Sequence, residues 1–307
     1  MRGTTPRREQ GMADPVLASM VRAMGLKTAR HYTAATPKIQ ASRDHWAELA
    51  KFRDGPVSPQ RVEVADPAAM ARQIKAKAIE LGADMVGICR LQPHMIDLGE
   101  DVPHEFVIVA CVAEDYEKVL HGANAVEEEA MRVYAKCTDI ATELAADIRG
   151  LGYPALAHHN GGSAVQAIPI FYQVGFGDQV GFGELGRHGS LIHEKYGASF
   201  RPGFVTTDLP LAEDRPREFG VQDFCPNCNA CMLNCPGDAI PKDPVMTDGI
   251  KRWLIDLEKC YPYSRLRDEY CHLCVDVCPY NVGSHPETFK SFMKQRKQAG
   301  YKTPKSW

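Results

Sequence analysis

Eight of the chain's eleven cysteines fall within the 54 residues from Cys225 to Cys278. The first run reads Cys225-Pro226-Asn227-Cys228-Asn229-Ala230-Cys231-Met232-Leu233-Asn234-Cys235-Pro236. The second reads Cys271-His272-Leu273-Cys274-Val275-Asp276-Val277-Cys278-Pro279, with Cys260 eleven residues ahead of it. Thiolates at these spacings hold two [4Fe–4S] clusters. A loop with a cysteine at every third position wraps three corners of one cubane, and the next cysteine, followed by proline, points to the other. Cys225, Cys228 and Cys231 therefore pair with Cys278. Cys235, Cys271 and Cys274 form the second set, and Cys260 is the nearby thiol that completes it. Zinc would call for paired CxxC knuckles instead of this run. Disulfides do not suit a chain that shows no secretory signal.

The rest of the composition is that of an ordinary globular protein. The chain has 307 residues, 44% hydrophobic and 24% charged, with a net charge of −3. That balance gives no support to a nucleic-acid partner. No run of eighteen apolar residues is present, so no membrane span is expected. Arg7-Arg8 is followed by polar residues instead of an apolar segment, which argues for a cytoplasmic protein over an exported one.

These ligands need a scaffold. Residues 1–64 mix charge, proline and isolated apolar residues and read as an irregular extension with one or two short helices. Met70, Ile74, Ala78 and Leu81 recur at helical spacing and Gly82 ends the helix. Met85–Cys89 and Phe106–Val112 read as buried strands. Glu127–Gly150 is the clearest helix, with Val133, Cys137, Ile140, Leu144 and Ile148 on one stripe and Glu127, Glu128 and Glu129 expected in its first turns, where negative charge suits the helix dipole. Pro154–His159 reads as a short strand, and Phe200–Leu211 as extended. Cys89, Cys111 and Cys137 sit in apolar patterns and are expected as buried core thiols. The irregular alternation predicts an α/β or α+β core over 65–221, with the cluster module at 222–285. A basic tail over 286–307 carries Lys290, Lys294, Arg296, Lys297, Lys302 and Lys305. It reads as a solvated helix, or as a docking patch for an acidic electron donor.

Gly181-Phe182-Gly183-Glu184-Leu185-Gly186 matches the dinucleotide fingerprint GxGxxG. A weak preceding strand and a poor following helix argue against that use. The glycines still require close approach of the backbone to another segment or to a flat ligand.

Three stretches in this order resemble the corrinoid-dependent reductive dehalogenases. They are Gly181–Ile192 (GFGELGRHGSLI), Val205–Leu211 (VTTDLPL), and Phe224 with the cysteine run. Ile74–Cys89 and Ile148–Tyr153 are similar too, and the likeness covers roughly 65–285. The resemblance implies a nitroreductase-like, cobalamin-binding core packed against a bacterial-ferredoxin-like module of two [4Fe–4S] clusters. Electrons would pass from an external donor such as ferredoxin or flavodoxin through the clusters to cob(I)alamin, which would reduce a small organohalide. Gly183, Leu185, Gly186, His188, Ser190 and Thr207 are the implied corrinoid contacts. No Asp-x-His-x-x-Gly string occurs, so a base-off corrinoid without a histidine lower ligand is expected.

The resemblance also implies a proton donor. A tyrosine stands at the matching place, eighteen residues before Gly152, as Tyr134. Arg187 and Asn160 match its supporting partners. A phenol ordinarily titrates near ~10, and a guanidinium within about 4–6 Å makes it a better acid. Read without the resemblance, Tyr134 is an aromatic at the core edge, Arg187 a surface or salt-bridge residue, and Asn160 a turn former before two glycines. His158 and His159 are weaker candidates, since neighbours in a strand face opposite ways.

Two other readings stand beside this one. The epoxyqueuosine reductases share the framework. They carry tryptophan and lysine where this chain has Glu184-Leu185-Gly186-Arg187, use an aspartate acid, and act on tRNA. A non-catalytic iron–sulfur or corrinoid carrier is the other, although more than two hundred residues beyond the clusters exceed what a carrier needs.

Overall fold

The computed structural model describes residues 19–20, 36–97, 99–159, 163–167, 170–171, 183–215, 218–247, 250–266, 270–284 and 286–300. Its centre is a four-stranded sheet in the order β1–β2–β6–β3. The strands are β1 (Met85–Arg90), β2 (Phe106–Ala113), β3 (Ala155–His158) and β6 (Phe200–Thr207). Every neighbouring pair is antiparallel, with Ile108 opposite Val205 and Val205 opposite Ala157. Because β6 lies between β2 and β3, the connection from β2 to β3 must cross a face of the sheet.

Strand alternation divides the apolar residues between two faces. Ile88, Ile108, Ala110, Ala157 and Val205 face α2 (Pro67–Glu80) and α3 (Ala123–Gly150). Asp66 starts α2 by accepting from the amides of Ala68 and Ala69, and proline follows at the first helical position. On α3, the expected stripe of Val133, Cys137, Ile140, Leu144 and Ile148 is fully buried. Each such aliphatic side chain contributes about 1.5–3 kcal/mol of transfer free energy. The helix lies so close to β6 that a Cβ on Gly203 would stand 2.6 Å from the Cys137 carbonyl oxygen. Cys89, Cys111 and Cys137 are buried, as their patterns required. Burial pushes the Cys89 and Cys137 thiols up to about 12.

One detail of α3 differs from the sequence reading. The helix begins at Ala123, so Glu127, Glu128 and Glu129 lie beyond its first turn. Side-chain partners hold them there. Glu128 accepts from Thr36 at 2.7 Å and pairs with Lys38 at 3.2 Å, at the start of α1 (Pro37–Leu49). Glu129 accepts from Arg132 and from the Asp115 amide at 2.9 Å. Part of the expected N-terminal extension is thus packed on the core helix.

The other sheet face, with Met85, Cys89, Val107, Val109, Cys111, Phe200 and Phe204, is covered by residues from Met95, Val102, Val165, Ile170 and Phe171 and by Leu185 and Leu191. The last two belong to a hairpin, β4 (Glu184–Leu185) and β5 (Leu191–Ile192). The cysteine module follows as short helices: α4 (Val221–Cys228), α5 (Ala230–Leu233), α6 (Leu257–Ser264), α7 (Leu273–Asp276) and α8 (Pro279–Ser284). A small ribbon, β7 (Val245–Thr247) with β8 (Ile250–Arg252), lies between α5 and α6. Helix α9 (Pro286–Gln298) seats Phe292 against Tyr116, Val119, Leu273 and Val277. Among the described residues, no helix is long and apolar enough to cross a membrane.

Candidate functional site

The eight cysteine side chains fall into two groups. Cys231 lies among Cys278, Cys225 and Cys228, whose charges act on it. Cys274 faces Cys271 and Cys260, and Cys271 faces Cys260 and Cys235. The groups adjoin where Cys231 and Cys235 pack with Cys260 and Cys274. Burial, then the neighbouring thiols, pushes Cys231 up to about 12; burial likewise takes Cys271 and Cys278 to about 12. Thiols held this way ionise readily only when a cation compensates them, which suits a site built for iron. Among the described residues no group of three or more His, Cys, Asp or Glu side chains stands close enough to hold a metal ion as the side chains lie here. The donor set fits clusters.

The module is bolted to the core through buried polar side chains. Glu184 of β4 accepts from the amides of Phe219 (2.6 Å), Val221 (3.0 Å) and Gln222 (3.2 Å). Its carboxylate caps α4, the helix of Cys225 and Cys228, whose own N-cap, Gly220, has no side chain to do so. Sequence reading missed this role, because a cap contributed from 37 residues away leaves no local signature. Replacing Glu184 with alanine should strip those amides of their acceptor and cost about 1.5–3 kcal/mol. A lower unfolding midpoint and faster iron loss on dilution would be the measured result. Asn281 makes a second bolt, accepting from the Ala198 amide at 2.7 Å and donating to Ser199 Oγ at 2.9 Å and to the Val275 carbonyl at 2.8 Å.

Arg187 is a third bolt. Its side chain is 1% exposed. Nε and Nη2 donate to the Cys225 carbonyl at 3.1 and 2.8 Å, Nη2 to Pro226 at 3.0 Å, and Nη1 to Pro241 at 3.2 Å and to Lys242. The guanidinium also lies over the Trp253 ring. With its donors engaged by carbonyls of the cysteine loop, Arg187 braces that loop. The guanidinium over the Tyr134 ring, 5.6 Å from its centroid, belongs instead to Arg201 of β6. Arg201 forms a buried ion pair with Glu114 at 2.9 Å. Burial opposes its charge, but Glu114, Tyr134 and Tyr270 outweigh that, and its pKa is raised. Asn160 lies outside the described residues.

The expected corrinoid contacts separate in the same way. Gly183 (φ +109°) admits the hairpin itself, since a Cβ there would stand 1.6 Å from the Ile192 carbonyl oxygen. Thr207 is engaged on the helical face, donating to Pro154 at 2.7 Å and accepting from the Leu209 amide at 3.1 Å. Leu185 is core, and its carbonyl accepts from Gln222. Gly186 makes the turn that carries the next two residues, its amide donating to the Ser190 carbonyl at 2.9 Å. The Ser190 amide donates to His188 Nδ1 at 3.2 Å, so a neutral His188 carries its proton on Nε2. That Nε2 is buried and has no hydrogen-bond partner. His193 repeats the pattern, Nδ1 accepting from Lys195 and Tyr196 amides while Nε2 has no partner. Both nitrogens of His159 and Nε2 of Gln166 are also buried without partners. Buried donors are rarely left so. His159, Gln166, His188 and His193 therefore leave buried polar atoms that a polar ligand, such as a corrinoid with its amide rim, would satisfy.

His158 has a different environment. Nδ1 accepts from the Ala164 amide at 3.1 Å and Nε2 donates to Thr206 Oγ1 at 2.9 Å. Burial pushes His158 down to about 3 and His159, His188 and His193 to about 4. The unfolded chain binds these protons near ~6.5, the folded chain only well below. Stability is therefore held above ~6.5 and lost as pH falls towards ~4, at up to ~1.4 kcal/mol per pH unit for each histidine. Unfolding midpoints measured from pH 7.5 to 5.5 should fall, and His158→Gln should flatten the slope.

Comparison with known proteins gives these features a setting. Residues 224–282 match the 4Fe-4S dicluster domain. The tetrachloroethene reductive dehalogenase of Desulfitobacterium hafniense is 32% identical over 215 residues, 65% of this chain and 37% of the relative. That of Sulfurospirillum multivorans is 27% identical over 286 residues, 78% of this chain and 54% of the relative. A solved catabolic reductive dehalogenase matches 85% of this chain and 41% of its own, with a TM-score of 0.73 at 28% identity. The chain is similar to reductive dehalogenases over most of its length. It spans 37–54% of the length of these two curated relatives. Epoxyqueuosine reductase is a more partial relative: that of Leadbetterella byssophila is 31% identical over 136 residues, 42% of this chain. The dicluster match, 224–282, falls on the two cysteine runs. What the chain's sequence hid is the set of bolts Glu184, Arg187, Arg201 and Asn281 that join that domain to the core.

Proposed function

We propose that this protein is a corrinoid-dependent reductive dehalogenase, replacing halide by hydrogen on a small organohalide. The reaction R–X + 2e⁻ + H⁺ → R–H + X⁻ needs an electron source beside a proton donor. The observation that carries the proposal is that arrangement. Tyr134 lies under Arg201, whose Nη2 is 3.0 Å from Nε2 of His272, and His272 sits between Cys271 and Cys274. A solved relative of the same fold was captured with 3-bromo-4-hydroxybenzoic acid, which supports a halogenated aromatic or alkene as the substrate class.

On this reading Cys225, Cys228, Cys231 and Cys278 hold one [4Fe–4S] cluster, and Cys235, Cys260, Cys271 and Cys274 the other. The nitroreductase-like core would hold a base-off corrinoid, with His188, His193 and His159 offering ring nitrogens to its polar rim. When bound, the corrinoid supplies low-valent cobalt, the reductant for the carbon–halogen bond. Tyr134 would hold the proton on its hydroxyl, with the Arg201 guanidinium over its ring. An acidic carrier protein would meet the exposed Lys290, Lys294 and Lys297 of α9; Lys302 and Lys305 lie outside the described residues. Lys294→Glu with Lys297→Glu should slow reduction by such a carrier and weaken its salt dependence in stopped-flow traces.

The test is anaerobic reconstitution with iron, sulfide and cobalamin, followed by counting of metals and of halide released from brominated phenols and chlorinated alkenes. About eight iron and one cobalt per chain, with halide release, is the expected result. Full iron with no cobalt would refute the cofactor reading.

A further inference from the structure

We infer that Glu114 and His272 are positioning residues for the Tyr134 acid, holding Arg201 over the phenol from opposite sides. The inference rests on the reading of Tyr134 as proton donor and deepens it. Four elements meet at this point. Tyr134 comes from α3, Arg201 from β6, Glu114 from the residue after β2, and His272 from the loop of Cys271 and Cys274. The Glu114 and Arg201 side chains are only 5% and 16% exposed, so neither charge has water to turn to. Glu114 is itself fixed, its amide donating to the Ser199 carbonyl at 2.9 Å.

The direction of each hydrogen bond follows from chemistry. Arginine only donates, so the 3.0 Å contact makes His272 Nε2 the acceptor. Its proton then lies on Nδ1 and is donated to Asp276 Oδ1 at 2.9 Å. Tyr270 stacks on the His272 ring, with centroids 5.8 Å apart, and Arg265 lies over the Tyr270 ring. Arg265 is charge-coupled to both Tyr134 and Cys260. Arg201, Glu114, Tyr270 and Arg265 are thus the charged and titratable groups around the phenol, with His272 and Asp276 behind Arg201. A guanidinium held this firmly cannot swing to solvent, and its place over the ring depends on the loop that carries two cluster ligands. Cluster loading and acid geometry are joined through one side chain. None of this could be read from sequence, since Glu114, Arg201 and His272 are spread over 159 residues.

The experiment uses the full chain, iron-loaded and labelled with ζ-¹³C-tyrosine, the Tyr134 signal being assigned from Tyr134→Phe. Glu114→Gln keeps an oxygen acceptor for Arg201 but removes the opposing charge. The Tyr134 ζ-carbon signal should move from its parent position, and Arg201→Gln should move it in the opposite direction. Glu114→Asp should leave it near the parent position, a rescue that a mere packing role would not give. In the cobalamin-reconstituted protein, Glu114→Gln should lower kcat about tenfold with KM little changed. His272→Asn should shift the same Tyr134 signal; if it loses iron instead, the Glu114 series decides. An unmoved Tyr134 signal in an iron-replete Glu114→Gln protein would overturn the inference. Full turnover in Tyr134→Phe would overturn the donor reading instead, and the spectroscopic arm would still report on positioning.

Discussion

Tyr134→Phe is expected to lower turnover by about 10²–10⁴-fold while leaving iron content and fold intact, the usual worth of a positioned general acid. The substitution removes one oxygen from a partly buried ring on α3 and leaves the neighbouring apolar stripe untouched. Packing against the Arg201 guanidinium survives, because a phenylalanine face also attracts a cation. Loss of rate therefore reports the proton and not the scaffold. The solvent isotope effect gives a second reading. If the phenol donates in the rate-limiting step, the effect is largest in the parent protein and changes in the variant, where water must substitute. A variant with full rate and both cofactors would remove Tyr134 from the mechanism.

Cys260→Ser is expected to halve the iron, from about eight to about four per chain, and to abolish turnover. Cys260, the proposed eighth ligand, belongs to neither run and stands on α6. Its sulfur lies 3.4 Å from Ser264 Oγ and among Cys235, Cys271 and Cys274. Burial raises its pKa, so as a free thiol it would remain protonated. Serine keeps the volume but is a poor ligand for iron, leaving the second cubane with three thiolates. The first group, Cys225, Cys228, Cys231 and Cys278, keeps its donors, and EPR of the reduced variant should show a single remaining cluster. An unaltered iron count would move the eighth ligand elsewhere.

Much of the scaffold could be read along the chain. The α3 stripe, the buried strands β1 and β2, and the three core thiols follow from periodicity, which records burial directly because each element repeats its facing at a fixed interval. The cysteine runs were readable for a related reason: one loop repeats its thiols at a fixed short interval, whereas the assignments of Cys278 and Cys260 join separate segments. The start of α3 was harder. Glu127–Glu129 suggest a helix start through their charge, yet they serve Thr36, Lys38, Asp115 and Arg132, partners that only folding supplies.

The cation over Tyr134 was beyond local reading altogether. Arg187 has the motif position and Arg201 has the geometry. A guanidinium reaches several ångströms and can satisfy carbonyls or a ring equally well, so its role is settled by which backbone segments fold around it. The same holds for Glu184, whose value as a helix cap depends on the hairpin being laid against α4. Sequence alone determined the two cysteine runs and the two-period core, because these depend on spacing within one segment. Tertiary structure decided which charges meet: Arg187 with the Cys225 loop, Arg201 with Tyr134, Glu114 and His272. Those meetings join segments distant in sequence, and the chain carries no periodic record of them.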